Sequence, residues 1–225
     1  CKITGIYWIR VLYCYPEEIY PELVEVIARE PKVCHYLDLP IQHASDRILK
    51  RMGRRTSKKQ LVEIVRTLRE KIPDIVLRTT LITGFPGETQ EDHEELMEFV
   101  DTMEFDRLGV FTYSPEENTP AAVMKAQISE EIKEDRKAEL MELQQEISLE
   151  RGNSRIGQVL LVMIEGKVAD ENAYVGRTYA DAPNVDGYIF VQSPEMLMSG
   201  DFVKVRVTGA LEYDLIGEIY DEYAE

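Results

Sequence analysis

Apolar and polar positions along the first half of the chain switch repeatedly between a two-residue and a helical period. Ile6 to Cys14 is rich in β-branched and aromatic residues and reads as a strand stopped at Tyr15-Pro16. Over Pro16 to Glu30, the residues Ile19, Leu23, Val26 and Ile27 recur at helical spacing. Tyr36 to Gln42 reads as a short buried strand. Ser45 is placed to cap a helix that runs through Met52 and stops at Gly53. Ser57 and Gln60 match a capping box, and Leu61, Ile64, Val65, Leu68 and Ile72 give that next helix its buried stripe before Pro73 ends it. A strand over Ile75 to Thr83 comes next, broken by Gly84-Phe85-Pro86-Gly87. Thr89 and Asp92 then open a helix with a stripe of Leu96, Phe99, Val100 and Met103, and Arg107 to Ser114 reads as a fourth strand. Strands separated by helices predict a parallel sheet, because each parallel pair needs a crossover of a dozen or more residues. A doubly wound sheet and a β/α barrel both satisfy this pattern.

The pattern changes after a long helix over Ser129 to Arg151, whose expected apolar face is Ile132, Leu140, Leu143 and Ile147, with Gly152 at its end. Gln158 to Glu165, Ala173 to Tyr179, Gly187 to Gln192, Phe202 to Thr208 and Leu211 to Ile219 are short strands with no helix among them. Turn residues separate them at Asp170-Glu171-Asn172, Pro183-Asn184, Asp186-Gly187 and Ser199-Gly200-Asp201. Five such strands predict a small β-barrel. The expected fold class is therefore α/β, a partial parallel β/α barrel over residues 1–152, followed by a small antiparallel five-stranded β-barrel over residues 153–225.

Composition narrows the function classes. Among 225 residues, 44% are hydrophobic and 30% charged, which fits a soluble domain with a sizeable core. The longest apolar run, Val159 to Ile164, is far short of the roughly 20 residues of a membrane span. No signal peptide is visible, and the expected location is cytoplasmic. The chain opens on Cys1 rather than Met and reads as a fragment of something longer. Its cysteines, Cys1, Cys14 and Cys34, form no Cys-x2-Cys or Cys-x3-Cys pair, so no metal or redox site is expected within this chain. Against 26 basic residues stand 42 acidic ones, a net charge of −16. From Asn153 onward there are 5 basic and 13 acidic residues, a net of −8, so the first 152 hold the other −8. Such a balance disfavours phosphate backbones, which need clustered Lys and Arg, and suits a basic partner, although it also serves plain solubility.

Ligands of β/α folds sit at the carboxyl ends of the strands. Gly84 and Gly87 would let a ligand approach the backbone, and the helix opening at Thr89 offers free N–H groups, although the same turn also serves as a tight strand-to-helix connection. Arg78, inside an apolar strand, either faces a polar barrel interior, where it could clamp a carboxylate, or pairs with a buried acid. His43 could act as a general base, but a lone histidine is more often structural. Gln42 stands where a barrel mouth would be. No pair of catalytic carboxylates and no Ser/His/Asp set is visible.

Three stretches carry a resemblance to a known family: Tyr36-Leu37-Asp38-Leu39-Pro40-Ile41-Gln42-His43-Ala44-Ser45-Asp46, Arg78-Thr79-Thr80-Leu81-Ile82-Thr83-Gly84-Phe85-Pro86-Gly87-Glu88-Thr89, and Phe105 to Ser114. Taken in order, they resemble the radical S-adenosylmethionine (SAM) methylthiotransferases. The C-terminal strands resemble the OB-like TRAM barrel of that family. Tyr174 to Thr178, Asp181 to Gly187 and Glu212 to Leu215 are similar to its ribosomal-protein branch. The resemblance implies methylthiolation of the β-carbon of an aspartate in a small-subunit ribosomal protein. It implies SAM as cofactor with two 4Fe-4S clusters, one generating a 5′-deoxyadenosyl radical and one delivering sulfur. Gln42, Ser45, Thr80, Gly84, Gly87 and Glu88 would help hold SAM, Arg78 would face its methionyl carboxylate, and Tyr113 would stand at the mouth of the pocket. The family's cluster-binding cysteines are not in this chain, which shows four of the six expected barrel strands, so the fragment alone is expected to be inactive. A second departure is Asn118, where the family pattern leads us to expect glycine; asparagine tolerates the left-handed backbone, so the turn is expected to survive.

Two other readings compete. The sister branch modifies an adenosine in tRNA and grips RNA with its TRAM domain; the −8 of residues 153–225 makes RNA the less favoured partner and a basic ribosomal protein the favoured one. A non-catalytic binding module is opposed by the intact Gln42–Ser45 and Gly84–Glu88 segments.

Overall fold

The computed structural model describes residues 1–169 and 171–221, and the chain divides into one compact unit over Cys1–Gln144 and a second beginning at Gln145. Asp170, part of one expected turn, lies outside the described residues. In the first unit the elements alternate as β1 (Ile9–Val11), α1 (Pro21–Arg29), β2 (Val33–Asp38), α2 (Asp46–Arg51), α3 (Lys58–Lys71), β3 (Val76–Thr83), α4 (Gln90–Met103) and β4 (Arg107–Thr112). The four strands are parallel in the order β1-β2-β3-β4. That order decides between the two architectures left open by the sequence. A doubly wound sheet reverses its strand order at a switch point; here each crossover adds a strand on the same side, and crossovers between parallel strands are right-handed almost without exception. The helices therefore gather on one face and leave the other open, as in a section of a β/α barrel. β3 shows the consequence: Leu77, Thr79, Leu81 and Thr83 are buried, while Arg78, Thr80 and Ile82 on the opposite face are half-buried.

The local grammar explains most boundaries. The expected capping box forms between Ser57 and Gln60, and Thr89 and Asp92, expected to open the next helix, make a second one. The helix expected from Pro16 breaks in two, a short 3-10 turn at Pro16–Glu18 and then α1. Tyr20 precedes Pro21 and is held extended (φ −110°, ψ 157°), which the proline ring enforces. Strand β2 stops at Asp38 rather than Gln42, because Pro40 removes a backbone donor; Gln42 rejoins the sheet only through an isolated bridge to Leu81. Beneath the sheet, Leu37, Leu49, Leu61, Leu68, Leu96, Phe99 and Phe105 are buried, while Tyr36, two residues before Asp38, is buried on the opposite face. Each such side chain contributes roughly 1.5–3 kcal/mol of transfer free energy.

Helix α5 (Glu130–Asn153) keeps part of its expected face, with Leu140 and Ile147 buried and Leu143 half-buried, and adds polar residues to it. Ile132 is 45% exposed, whereas Lys133, Arg136, Leu140 and Gln144 form the buried stripe. The polar members are tolerated because each meets a partner: Lys133 Nζ donates to the Tyr113 carbonyl at 2.8 Å, Arg136 to Glu88 at 2.7 Å and Gln144 to the Phe105 carbonyl at 2.8 Å. Asn118 does adopt the left-handed conformation expected of it, at φ +64°.

The second unit is a closed barrel of β5 (Val159–Lys167), β6 (Ala173–Arg177), β7 (Ile189–Gln192), β8 (Phe202–Ala210) and β9 (Leu215–Ile219) in the order β5-β6-β7-β9-β8. The expectation of an antiparallel barrel is corrected: it is mixed, because β7 and β9 pair in parallel. The chain reverses direction from β7 to β8 and again from β8 to β9. With β9 inserted between the two, it is antiparallel to β8 and must run alongside β7. Val162, Ile164, Tyr174, Ile189, Val191, Val205, Val207 and Leu215 fill the interior.

Candidate functional site

The open face of the β1–β4 sheet carries a cavity of about 370 Å³, within the range that encloses a small molecule. Arg78 and Thr80 reach it from β3, two residues apart and so on one face, and Phe111 reaches it from β4, in register with Ile82. Tyr13, Tyr15 and Pro40 wall it from the loops after β1 and β2. Asp38, the last residue of β2 and the register partner of Arg78, ties the floor together. Its Oδ1 accepts from Arg78 Nη1 at 2.9 Å, its Oδ2 from the Tyr13 N–H at 3.4 Å, and its carbonyl from the Cys14 N–H at 2.8 Å. Arg78 thus satisfies both sequence readings at once, facing the cavity and pairing with a buried acid.

Two cavity residues are held with unusual backbones, Tyr13 at φ +58° and Gln42 at φ +72°. Non-glycine residues rarely adopt this region, and where they do the surrounding structure must enforce it. For Gln42 the enforcement is visible: its N–H donates to the Thr80 carbonyl at 2.9 Å, and its own carbonyl accepts from Ile82 at 2.8 Å. The side-chain Oε1 is buried and meets no hydrogen-bond donor among the described residues. Such an orphaned acceptor marks a place where a ligand donor fits.

Arg54 completes the lining and was not singled out by the sequence. It comes just after α2, whose end is closed by a Schellman motif. Gly53, at φ +75°, donates to the Lys50 carbonyl at 3.2 Å, and the Arg54 N–H donates to the Leu49 carbonyl at 2.9 Å. The cap fixes where the Arg54 side chain starts, and its guanidinium lies 5.2 Å from the centre of the Tyr15 ring. Among the described residues it has no carboxylate partner, unlike Arg78.

The remaining expected residues cluster in and around the turn after β3 rather than lining the cavity. Gly84 and Gly87 have φ of +70° and +85°. The Glu88 carboxylate turns inward, where Oε2 accepts from the Gly84 N–H at 2.8 Å and the Phe85 N–H at 3.3 Å, and Oε1 from Arg136 at 2.7 Å. His43 is buried 3.5 Å from the same carboxylate. Its Nδ1 accepts from the backbone N–H groups of Ala44 and Ser45, both at 3.0 Å, so the neutral ring carries its proton on Nε2, facing Glu88. This is the structural role for His43, not that of a free base. Ser45 stands at the N-cap of α2, but its hydroxyl makes no capping bond and donates instead to Asp92 Oδ1 at 2.6 Å. Tyr113 packs edge-on against Phe85, with ring centres 5.2 Å apart.

The residues present fit SAM in the cavity: an orphaned acceptor, a cation and aromatic faces suited to a sulfonium. They do not fit an iron–sulfur cluster. Among the described residues no group of three His, Cys, Asp or Glu could hold a metal ion. Cys1 is exposed, Cys14 half-buried and Cys34 buried. Burial and then the neighbouring Asp38 push the Cys14 thiol up, the opposite of what a thiolate ligand needs. No described helix is long and apolar enough to cross a membrane.

Comparison with known proteins agrees with both units. Residues 2–100 match the Radical SAM superfamily and residues 156–219 the TRAM domain. A ribosomal protein uS12 methylthiotransferase RimO from Lachnoclostridium phytofermentans is 64% identical over 217 residues, 96% of this chain and 49% of that protein. One from Clostridium botulinum (strain Langeland) is 51% identical over 224 residues, 100% of this chain and 50% of its own. The chain thus spans about half the length of the curated relatives it matches. Among solved structures, coproporphyrinogen III oxidase (HemN) from Escherichia coli, a radical SAM enzyme, aligns with a TM-score of 0.51 at 15% identity. That alignment covers 76% of this chain and 46% of that one, a likeness of fold alone. The chain is a RimO homologue of the radical SAM methylthiotransferase family, carrying radical SAM and TRAM sequence.

Proposed function

We propose that this chain forms the SAM-binding part and the TRAM barrel of an enzyme that methylthiolates the β-carbon of an aspartate in ribosomal protein uS12. The observation that carries the reading is the 64% identity that runs through both units to a relative of that name. Bound SAM supplies, on reduction, a carbon radical strong enough to take hydrogen from an unactivated C–H bond. The chain's own residues bind and orient. Gln42 Oε1 accepts from a ligand donor, Thr80 and Arg78 present the polar floor, and Tyr13, Tyr15 and Phe111 cover the ligand and keep water from it. Ser45, Gly84, Gly87, Glu88 and Tyr113 act one layer back, holding the adjoining turn. Both 4Fe-4S clusters, the one that generates the radical and the one that delivers sulfur, take their ligands from outside this chain. The chain alone is therefore expected to release no 5′-deoxyadenosine from SAM under reducing conditions, as read by chromatography; release would overturn that assignment.

The TRAM barrel takes the protein substrate in this reading, because residues 153–225 carry −8 and a ribosomal protein is basic. The test is a side-by-side titration of the chain with uS12 and with an anticodon stem-loop RNA at one fixed salt concentration. Selective binding of uS12 is expected. Selective binding of the RNA would transfer the substrate to the tRNA branch.

A further inference from the structure

We propose that the exposed basic face formed by α2, the turn after it and the first turn of α3 holds a phosphate backbone, that of the RNA on which the ribosomal-protein substrate sits. Naming that RNA rests on uS12 being the substrate; assigning the face to a phosphate backbone does not. Residues 47–59 hold 7 of the chain's 26 basic residues and none of its 42 acidic ones. A face kept only for solubility needs no such separation, because acidic residues serve it as well and do so over the rest of the chain. Phosphate backbones are held by clustered Lys and Arg, so a net charge of −16 leaves this one stretch able to do it.

The fold turns the stretch into one surface. Arg47, Lys50 and Arg51 recur at helical spacing on the side of α2 opposite the buried Ile48 and Leu49. The Lys58 N–H donates to Asp46 Oδ1 at 2.6 Å, which pins the start of α3 beside the start of α2, and Arg47, Lys58 and Lys59 line one cleft. Arg55 is exposed in the connection between the two helices. Part of this charge is engaged within the fold. Arg47 pairs with Asp92, Arg51 donates to the Pro86 carbonyl at 3.0 Å, Lys58 Nζ lies 3.2 Å from Glu95, and Arg54 turns toward the Tyr15 ring. Lys50, Arg55 and Lys59 are exposed and make no ion pair among the described residues. Glu63, one turn on from Lys59, lies instead 3.9 Å from Arg66. Three such cations make a salt-sensitive contact, roughly 10⁻⁴ to 10⁻⁶ M at physiological salt when it is non-specific. That is an auxiliary hold, added to the one proposed for the TRAM barrel. Its sign is opposite to that of the barrel, and a basic protein bound to RNA offers a complement to both.

The test uses the intact protein that carries this chain and titrates it with a short RNA duplex of arbitrary sequence between about 50 and about 200 mM salt. Wild-type affinity should fall about ten- to a hundredfold over that range. The triple variant Lys50→Glu, Arg55→Glu, Lys59→Glu should bind at least about tenfold more weakly at the low-salt end and lose most of the salt dependence. The neutral triple Lys50→Gln, Arg55→Gln, Lys59→Gln should fall between the two. Lys2→Glu, Lys125→Glu, Lys167→Glu, an equal change of charge at exposed lysines elsewhere, should bind like wild type. None of the three patch side chains makes a hydrogen bond or ion pair among the described residues, so melting temperatures should stay at the wild-type value. Absence of duplex binding in wild type, its survival in both patch triples, or an equal loss in the distant triple would overturn the assignment of the face. Polyglutamate binding there more tightly than the duplex would also overturn it and make the partner an acidic protein. The identity of the RNA is read from free uS12 against uS12 bound to small-subunit RNA. Wild type should prefer the complex, and the charge-reversed triple should lose that preference while holding free uS12 as before. No preference in wild type would overturn the naming of the RNA. Failure to bind uS12 in either form would overturn the substrate reading, while the face would still stand on the duplex results.

Discussion

A helix cap can serve a neighbour better than its own helix, and Ser45 does so. Burial pushes the Asp92 carboxyl up, but the hydrogen bonds from Ser45, the Thr89 backbone, Arg47 and the Thr89 hydroxyl outweigh it and hold its pKa down to about 2, against an ordinary 3.8. A depressed carboxyl stabilises the fold fully above its unfolded pKa, and that contribution is lost as pH falls through the folded value, here between about 4 and about 2. Ser45→Ala is expected to raise the Asp92 pKa toward 3.8, so that the acid loss begins at higher pH; a carboxyl-resolved NMR titration reads the shift. Single residues are unevenly legible in the sequence. Gln42 at a strand end and Arg78 and Thr80 within the strand that follows in the sequence pattern do line the cavity, because their neighbours fix which way the sheet faces. Arg54 registers in the sequence only as the residue beyond a helix stop, since nothing local says that a capped turn points its next side chain at Tyr15.

At the scale of elements, the turn after β3 is gripped from α5. Lys133 passes so close to Gly84 that a Cβ there would collide with its side chain, while its Nζ reaches the Tyr113 carbonyl. Three residues on, Arg136 meets Glu88. Gly84→Ala adds a strained φ to this collision and should destabilise the chain by about 2–4 kcal/mol in denaturant titrations. In a Lys133→Ala background the penalty should shrink, giving a coupling on the order of 1 kcal/mol; strict additivity would show that the contact does not matter. The existence of the helices and strands is legible from period and caps. The buried face of α5 is legible only in part, at Leu140 and Ile147: nothing in the period singles out Lys133, Arg136 and Gln144, and only the carbonyls and carboxylate waiting at Tyr113, Glu88 and Phe105 make their burial tolerable. Period counts apolar residues and has no view of partners brought by other elements.

For the whole molecule, charge and topology carry the remaining expectations. If the −8 of residues 153–225 steers a basic protein, raising salt should slow association by about ten- to a hundredfold and change dissociation little, as stopped-flow kinetics would read. A salt-insensitive on-rate would remove steering from the account. The parallel order of the first sheet is legible because helices must cross between its strands. The parallel β7–β9 pair is not, since short turns carry no record of which edge a later strand will enter. That pair has a consequence for biosynthesis. Because β9 lies between β7 and β8, the barrel has no closed form until its last strand leaves the ribosome. A nascent chain arrested before Leu215 presents two unpaired edges at once, so it is a substrate for chaperones or aggregation rather than a smaller barrel.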